Sequence, residues 1–170
     1  MNSPGILYQM VRADFLERTR RYSFLLTLGF SLWLGYMVYS GQVNLQLATY
    51  KGEPNSAWTG CVIGLVATVW LSLIGFYVVK NSLQRDRETG VGQILATTPM
   101  SRFFYTLAKA LSNFAVLTLM ILILAAAAIV IQFGLRLQGG SPVQILPLIT
   151  PVLVFGLCSL SVTAALAILF

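Results

Sequence analysis

Histidine is absent from this 170-residue chain, only 9% of its residues are charged, and the acids number five: Asp14, Glu17, Glu53, Asp86 and Glu88. Each scarcity excludes something. Without histidine, and with no Cys, Asp or Glu cluster at ligand spacing, a zinc or two-metal centre has no donor set. No GxxxxGK[ST] loop occurs, so ATP is not bound in the P-loop manner. Cys61 and Cys158 both fall in apolar runs, where they read as small core hydrophobes and not as a disulfide framework. Soluble domains carry roughly 25% charged residues. Against that, 57% hydrophobic residues and a mean hydropathy of +0.80 say that water is not the main solvent. The net charge of +6 is then read by where the bases lie relative to the membrane. Neither nucleic acid nor a cofactor is an expected partner; membrane lipid is.

Four uncharged runs approach or exceed the roughly 20 residues needed to cross a bilayer: 22–40, 57–79, 110–135 and 145–170. The expectation is an all-α membrane protein with four transmembrane helices in a domain of residues 22–170. No small-x-small cleavage site follows the first run, which therefore reads as a retained anchor. Arg12, Arg18, Arg20 and Arg21 precede it, and Lys80, Arg85, Arg87, Arg102 and Lys109 occupy the 80–109 loop, against only Lys51 and Arg136 in the other two loops. That asymmetry places the N-terminus and the 80–109 loop in the cytoplasm of a cell with an inner membrane. Trp58 and Tyr50 fall at the outer interface, Tyr77 and Tyr105 near the inner one.

Residues 1–21 read as a cytoplasmic amphipathic interfacial helix. Ser3 can cap it and Pro4 suits its first position. Ile6, Leu7, Met10, Val11 and Phe15 recur at helical spacing, with Gln9, Arg12, Glu17 and Arg20 on other faces, a pattern suited to lying in the inner membrane surface.

Within the spans, Gly60, Gly64, Thr68, Ser72 and Gly75 form a stripe of small residues that lets helix backbones approach closely in lipid. Asn113, Thr118, Gln132, Ser159, Ser161 and Thr163 are polar positions that fit either helix-to-helix hydrogen bonds or ligand contact. Pro147 and Pro151 each remove a backbone hydrogen bond near the outer end of the fourth run and can kink it. No Asp, Glu, His, Lys or Arg lies inside the four runs, so nothing there relays protons or binds a coupling ion. Energy for any transport has to arrive from outside the membrane.

The 80–109 loop holds the most distinctive pattern. The second span continues as a charged stalk through Arg85, Asp86, Arg87 and Glu88 to Gly90, a residue suited to ending a helix. Val91, Ile94 and Leu95 then share one side of a short turn closed by Pro99. Such a turn cannot stabilise itself in water and needs a surface to dock on. Ser101 is placed to cap the next long helix.

The succession Arg87, Glu88, Thr89, Gly90, then Ile94 and Leu95, Thr98 and Pro99, Ser101 and Arg102, and Ala108 and Lys109 resembles the ATP-binding-cassette (ABC) transporter permeases of the type-2 exporter class. The topology of the whole chain is similar too. The resemblance implies that the short helix is a cytoplasmic coupling helix docking in a cleft of an ABC ATPase subunit in trans, with Arg87, Glu88, Gly90, Ile94, Leu95, Thr98 and Pro99 forming the coupling loop. It further implies a second permease copy or homologous half. Permeases of this class usually have six spans per half, so four imply an N-terminal portion of a longer permease.

Two functional readings follow. In the first, the chain is a non-enzymatic permease subunit of an ABC exporter, driven by ATP hydrolysis on another chain. In the second, it is a non-transporting membrane interaction or assembly protein whose basic loop binds anionic lipid or a scaffold. An intramembrane hydrolase is disfavoured, because the spans lack paired acids, a Ser–His or Ser–Lys arrangement, or metal ligands.

Overall fold

In the computed structural model, residues 4–40, 42, 46–47, 50–51, 55–80, 102–136 and 142–169 are described. Five helices carry most of them: α1 (Pro4–Thr19), α2 (Tyr22–Tyr39), α3 (Ser56–Lys80), α4 (Arg102–Arg136) and α5 (Ile145–Leu169). Between α2 and α3, strands β1 (Gln46–Leu47) and β2 (Tyr50–Lys51) form a small antiparallel ladder in which Gln46 faces Lys51 and Leu47 faces Tyr50. Nothing in the sequence pattern announced these strands, since two-residue strands show no alternation.

Among the described residues, three helices are long and apolar enough to cross a membrane, over Ser56–Val79, Phe103–Phe133 and Ile145–Ile168. The first expected span, residues 22–40, is a shorter apolar helix, Tyr22–Val38. At about 1.5 Å per residue, the 18 residues of α2 reach about 27 Å, against a hydrocarbon core of about 30 Å. By the same measure α4, with 35 residues, is about 52 Å long. The third run therefore begins eight residues earlier as helix than its lack of charge suggested, and Lys109 lies within it.

The helices associate chiefly through α5, which lies along α3 and also packs against α4; α2 lies on α3 and α4. Leu71, Val116, Leu117, Met120, Ile121 and Leu160 are wholly buried in one core cluster with Phe24 beside them. A second cluster, toward the hairpin end, gathers Val62, Ile63, Ala67, Leu124, Leu148 and Val152. Facing outward are Leu26, Val69, Leu73, Val130 and Val162, the apolar exterior that a lipid-facing bundle needs.

Asn55 Oδ1 accepts a 2.8 Å hydrogen bond from the Trp58 backbone N–H, the N-cap geometry that begins α3. In α5, Pro147 falls in the first turn, where a missing N–H leaves nothing unpaired. Only Pro151 lies in the helix interior, and α5 runs continuously through it. The expected interruption at both prolines is corrected to one missing internal bond. Both cysteines are free, but Cys158 is exposed and Cys61 half-buried. Cys158 is thus not a core residue.

Candidate functional site

All seven residues of the expected coupling loop, Arg87, Glu88, Gly90, Ile94, Leu95, Thr98 and Pro99, lie outside the described residues, as do Ser3 and Ser101. The described residues instead expose what surrounds that loop. Its downstream end enters α4 at Arg102, and the first turns of α4 are held by α1.

The hold is ionic. Lys109 Nζ on α4 lies 2.7 Å from Asp14 Oδ2 on α1, and Arg18 Nη2 lies 3.6 Å from the same carboxylate oxygen. Arg18 Nη1 donates a hydrogen bond to Asn113 Oδ1. The ammonium of Lys109 also sits 5.8 Å from the Tyr105 ring centroid, within cation–π range. Arg18 and Lys109 are only 5% and 4% exposed, and Asn113 and Ser112 are wholly buried. Asp14 and Arg18, one turn apart on α1, meet Lys109 and Asn113, one turn apart on α4, in the same order. The two helices therefore run side by side in the same direction here.

Removing charges from water costs several kcal/mol per ion unless they are paired, and a single carboxylate serves two cations in this cluster. The sequence counts Arg18 and Lys109 among the bases that set topology; both are internal. It also found no charge inside a span, whereas Lys109 is buried on a helix whose apolar stretch covers Phe103–Phe133. The spacing Asp14-x-x-x-Arg18 beside Lys109-x-x-x-Asn113 was visible, but nothing in it says that helices 95 residues apart meet.

The small-residue stripe divides between two neighbours. A Cβ added to Gly60 would lie 2.9 Å from Leu148 Cα of α5, and one on Gly64 would lie 3.2 Å from Val152 Cα. Ser72 and Ser159 share a 2.7 Å hydrogen bond across the same seam. Thr68 is half-buried, and its hydroxyl has no hydrogen-bond partner among the described residues. Gly75 instead faces α4, where an added Cβ would meet Leu117 Cδ2 at 2.6 Å. Gly156 of α5, which the stripe did not include, lies under Ile121 of α4.

At the opposite end of the bundle, Gln132 Nε2 donates to Ser56 Oγ at 2.7 Å, and the Gln144 backbone N–H donates to the same oxygen at 3.1 Å. One hydroxyl thus joins the start of α3, the last turns of α4 and the residue before α5. The remaining polar span residues serve their own helices or go unpaired: Ser161 and Thr163 bond to Cys158 and Ser159 carbonyls, while the Thr118 hydroxyl has no partner among the described residues. A crevice lined by Ser31, Gly35, Ala67, Trp70 and Leu124 has about 10 Å³ of room, at the limit for one water molecule. Among the described residues, no three His, Cys, Asp or Glu side chains come together as metal donors.

No family model matches the chain, and no curated protein or solved structure matches it either.

Proposed function

We propose that this chain is a membrane-embedded permease of an ABC exporter, moved by an ATPase on a separate chain and working with a second copy or a homologous half. The observation that carries the reading is the ionic hold of α1 on the stem of α4, which begins directly after the loop that resembles a coupling helix. A force applied to residues 87–99 enters α4 within a few residues. There it meets a stem whose neighbour is bound by charge, so the displacement is carried by two helices.

The proposed orientation has α1 and the 80–109 loop in the cytoplasm. Support comes from the basic residues concentrated in these two segments and from the contact that puts residues 14–18 and 109–113 at one end of the bundle. The small crevices fit a bundle whose substrate path lies between copies and not inside one.

The test is to co-express the candidate ATPase with wild-type protein and with an Ile94→Ser/Leu95→Ser double variant, measuring ATPase retention and vesicle transport. Truncating large interface anchors commonly costs 2 kcal/mol or more, roughly thirtyfold in affinity. Retention and transport should both fall while membrane insertion stays normal. Equal retention with transport intact would leave the loop as a charged anchor and favour the assembly-protein reading.

A further inference from the structure

The apolar stretch of α4, Phe103–Phe133, has 31 residues and reaches about 46 Å at about 1.5 Å per residue, whereas the hydrocarbon core is about 30 Å thick. About 16 Å of it, roughly ten residues, has to stand outside the hydrocarbon. The neighbouring helices show at which end. Gln132 meets Ser56, the first residue of α3, so α4 keeps level with its neighbour there. At the other end Gly75 packs on Leu117, and Phe24 shares a core cluster with Val116 and Leu117. Continued from these contacts, α3 runs out and α2 begins near the level of Asn113. Tyr77 and Tyr22, 63% and 85% exposed, lie there as amphipathic rings do at a membrane interface. Residues 102–112 of α4 extend beyond that interface as a stem.

Helix α1 clads one side of the stem. Asp14 faces Lys109 and Arg18 faces Asn113, so the two helices run in step, and Leu7, Met10, Val11 and Phe15 are half-buried on the same side of α1 as Asp14 and Arg18. In this register Tyr8 is level with Phe103, about 15 Å below Asn113. A headgroup layer accounts for only about 5–8 Å of that distance. Tyr8 and Phe103, 66% and 70% exposed, therefore stand in water and not in lipid. Arg12, one turn above Tyr8, is exposed and has no acidic partner among the described residues.

We propose that the tip of this stem is a second docking surface for the ATPase subunit, with Tyr8 and Phe103 as anchors and Arg12 facing an acidic patch on that subunit. The proposal takes the partner's identity from the permease reading. Three observations favour this occupant over lipid or a second copy. The tip lies below the headgroups, it carries an unpaired base, and the segment that resembles a coupling helix enters α4 at Arg102, next to Phe103. A subunit that grips that segment is within reach of the tip. Aromatic residues and arginine are also the side chains that protein interfaces enrich.

The first test needs no ATPase. In the whole chain with Cys61→Ser and Cys158→Ser, reconstituted in nanodiscs, a nitroxide at Tyr8→Cys should collide chiefly with a water-soluble nickel chelate. One at Leu16→Cys, two turns nearer the membrane, should collide chiefly with membrane-soluble oxygen. Equal accessibility at the two positions would mean that α1 lies flat on the membrane, and would overturn the proposal. The second test measures retention of the co-expressed ATPase. A Tyr8→Ser/Phe103→Ser variant should lower it about tenfold; Arg12→Glu should lower it too, and Arg12→Lys should not. All three side chains are exposed, so these changes leave the α1–α4 contacts in place. Retention lowered by Ile94→Ser/Leu95→Ser but unchanged by Tyr8→Ser/Phe103→Ser would overturn the stem surface alone and leave the permease reading standing. Retention unchanged by both pairs would overturn the two together.

Discussion

Among the described residues Asp14 is the carboxylate that faces both Lys109 and Arg18, so its loss differs in kind from the loss of an exposed acid. Asp14→Asn removes the carboxylate that two buried cations share, and breaking such a pair costs about 3 kcal/mol. A thermal unfolding series in detergent should show a clear loss of stability for this variant and almost none for Glu17→Gln, whose pairing with Arg21 is exposed. Equal loss in the two would mean that the cluster does not hold α1. A second comparison isolates close packing. An added methyl at Gly60 meets the α5 backbone, whereas at Gly29 it meets nothing within 4 Å. Gly60→Ala should therefore destabilise by about 1–3 kcal/mol, and Gly29→Ala should be neutral or stabilising through helix propensity. The two glycines look alike in the sequence apart from the four-residue spacing of Gly60 to Gly64. That spacing suggested a stripe but not that Gly75 would turn to α4. The internal pairing of Lys109 was hidden more deeply, because charge next to a hydrophobic run ordinarily marks the membrane edge.

At the level of whole helices, composition and run length were enough to find α2, α3, α4 and α5, because each run had to satisfy its own backbone in an apolar solvent. The start of α4 at Arg102 agrees with Ser101 as its expected cap, but the membrane run was begun only at residue 110 because it was required to be uncharged, while a buried ion pair lets a helix carry charge inward. The face of α1 was misassigned for a related reason. Periodicity reveals which side is apolar, but whether lipid or protein covers that side depends on a contact with a helix far away in the sequence.

Taken as a whole, the bundle places α1 and the start of α4 at one end, with the Ser56–Gln132 contact at the other. Accessibility of single cysteines tests which end faces the cytoplasm. With the native cysteines replaced by serine, a cysteine at the exposed Gln42 should react with an impermeant thiol reagent added outside intact cells, and one at the exposed Gln9 should not. The opposite labelling would turn the molecule over and remove the 80–109 loop from any cytosolic ATPase. The same inversion would leave the helix contacts untouched, since these fix only which segments share an end.

Helix α4 is one unbroken rod, packed along its length and carrying a polar contact near each end. From Lys109 to Gln132 the rise is about 35 Å, so a rotation of only about 3° about the ionic fastening carries Gln132 sideways by about 2 Å. The Gln132–Ser56 bond is 2.7 Å long, and hydrogen bonds weaken beyond about 3.2 Å. Rigid-body leverage thus makes the distal polar contact the sensitive one: a tilt too small to disturb the contacts around Lys109 is enough to break the Gln132–Ser56 bond at the opposite end of the bundle.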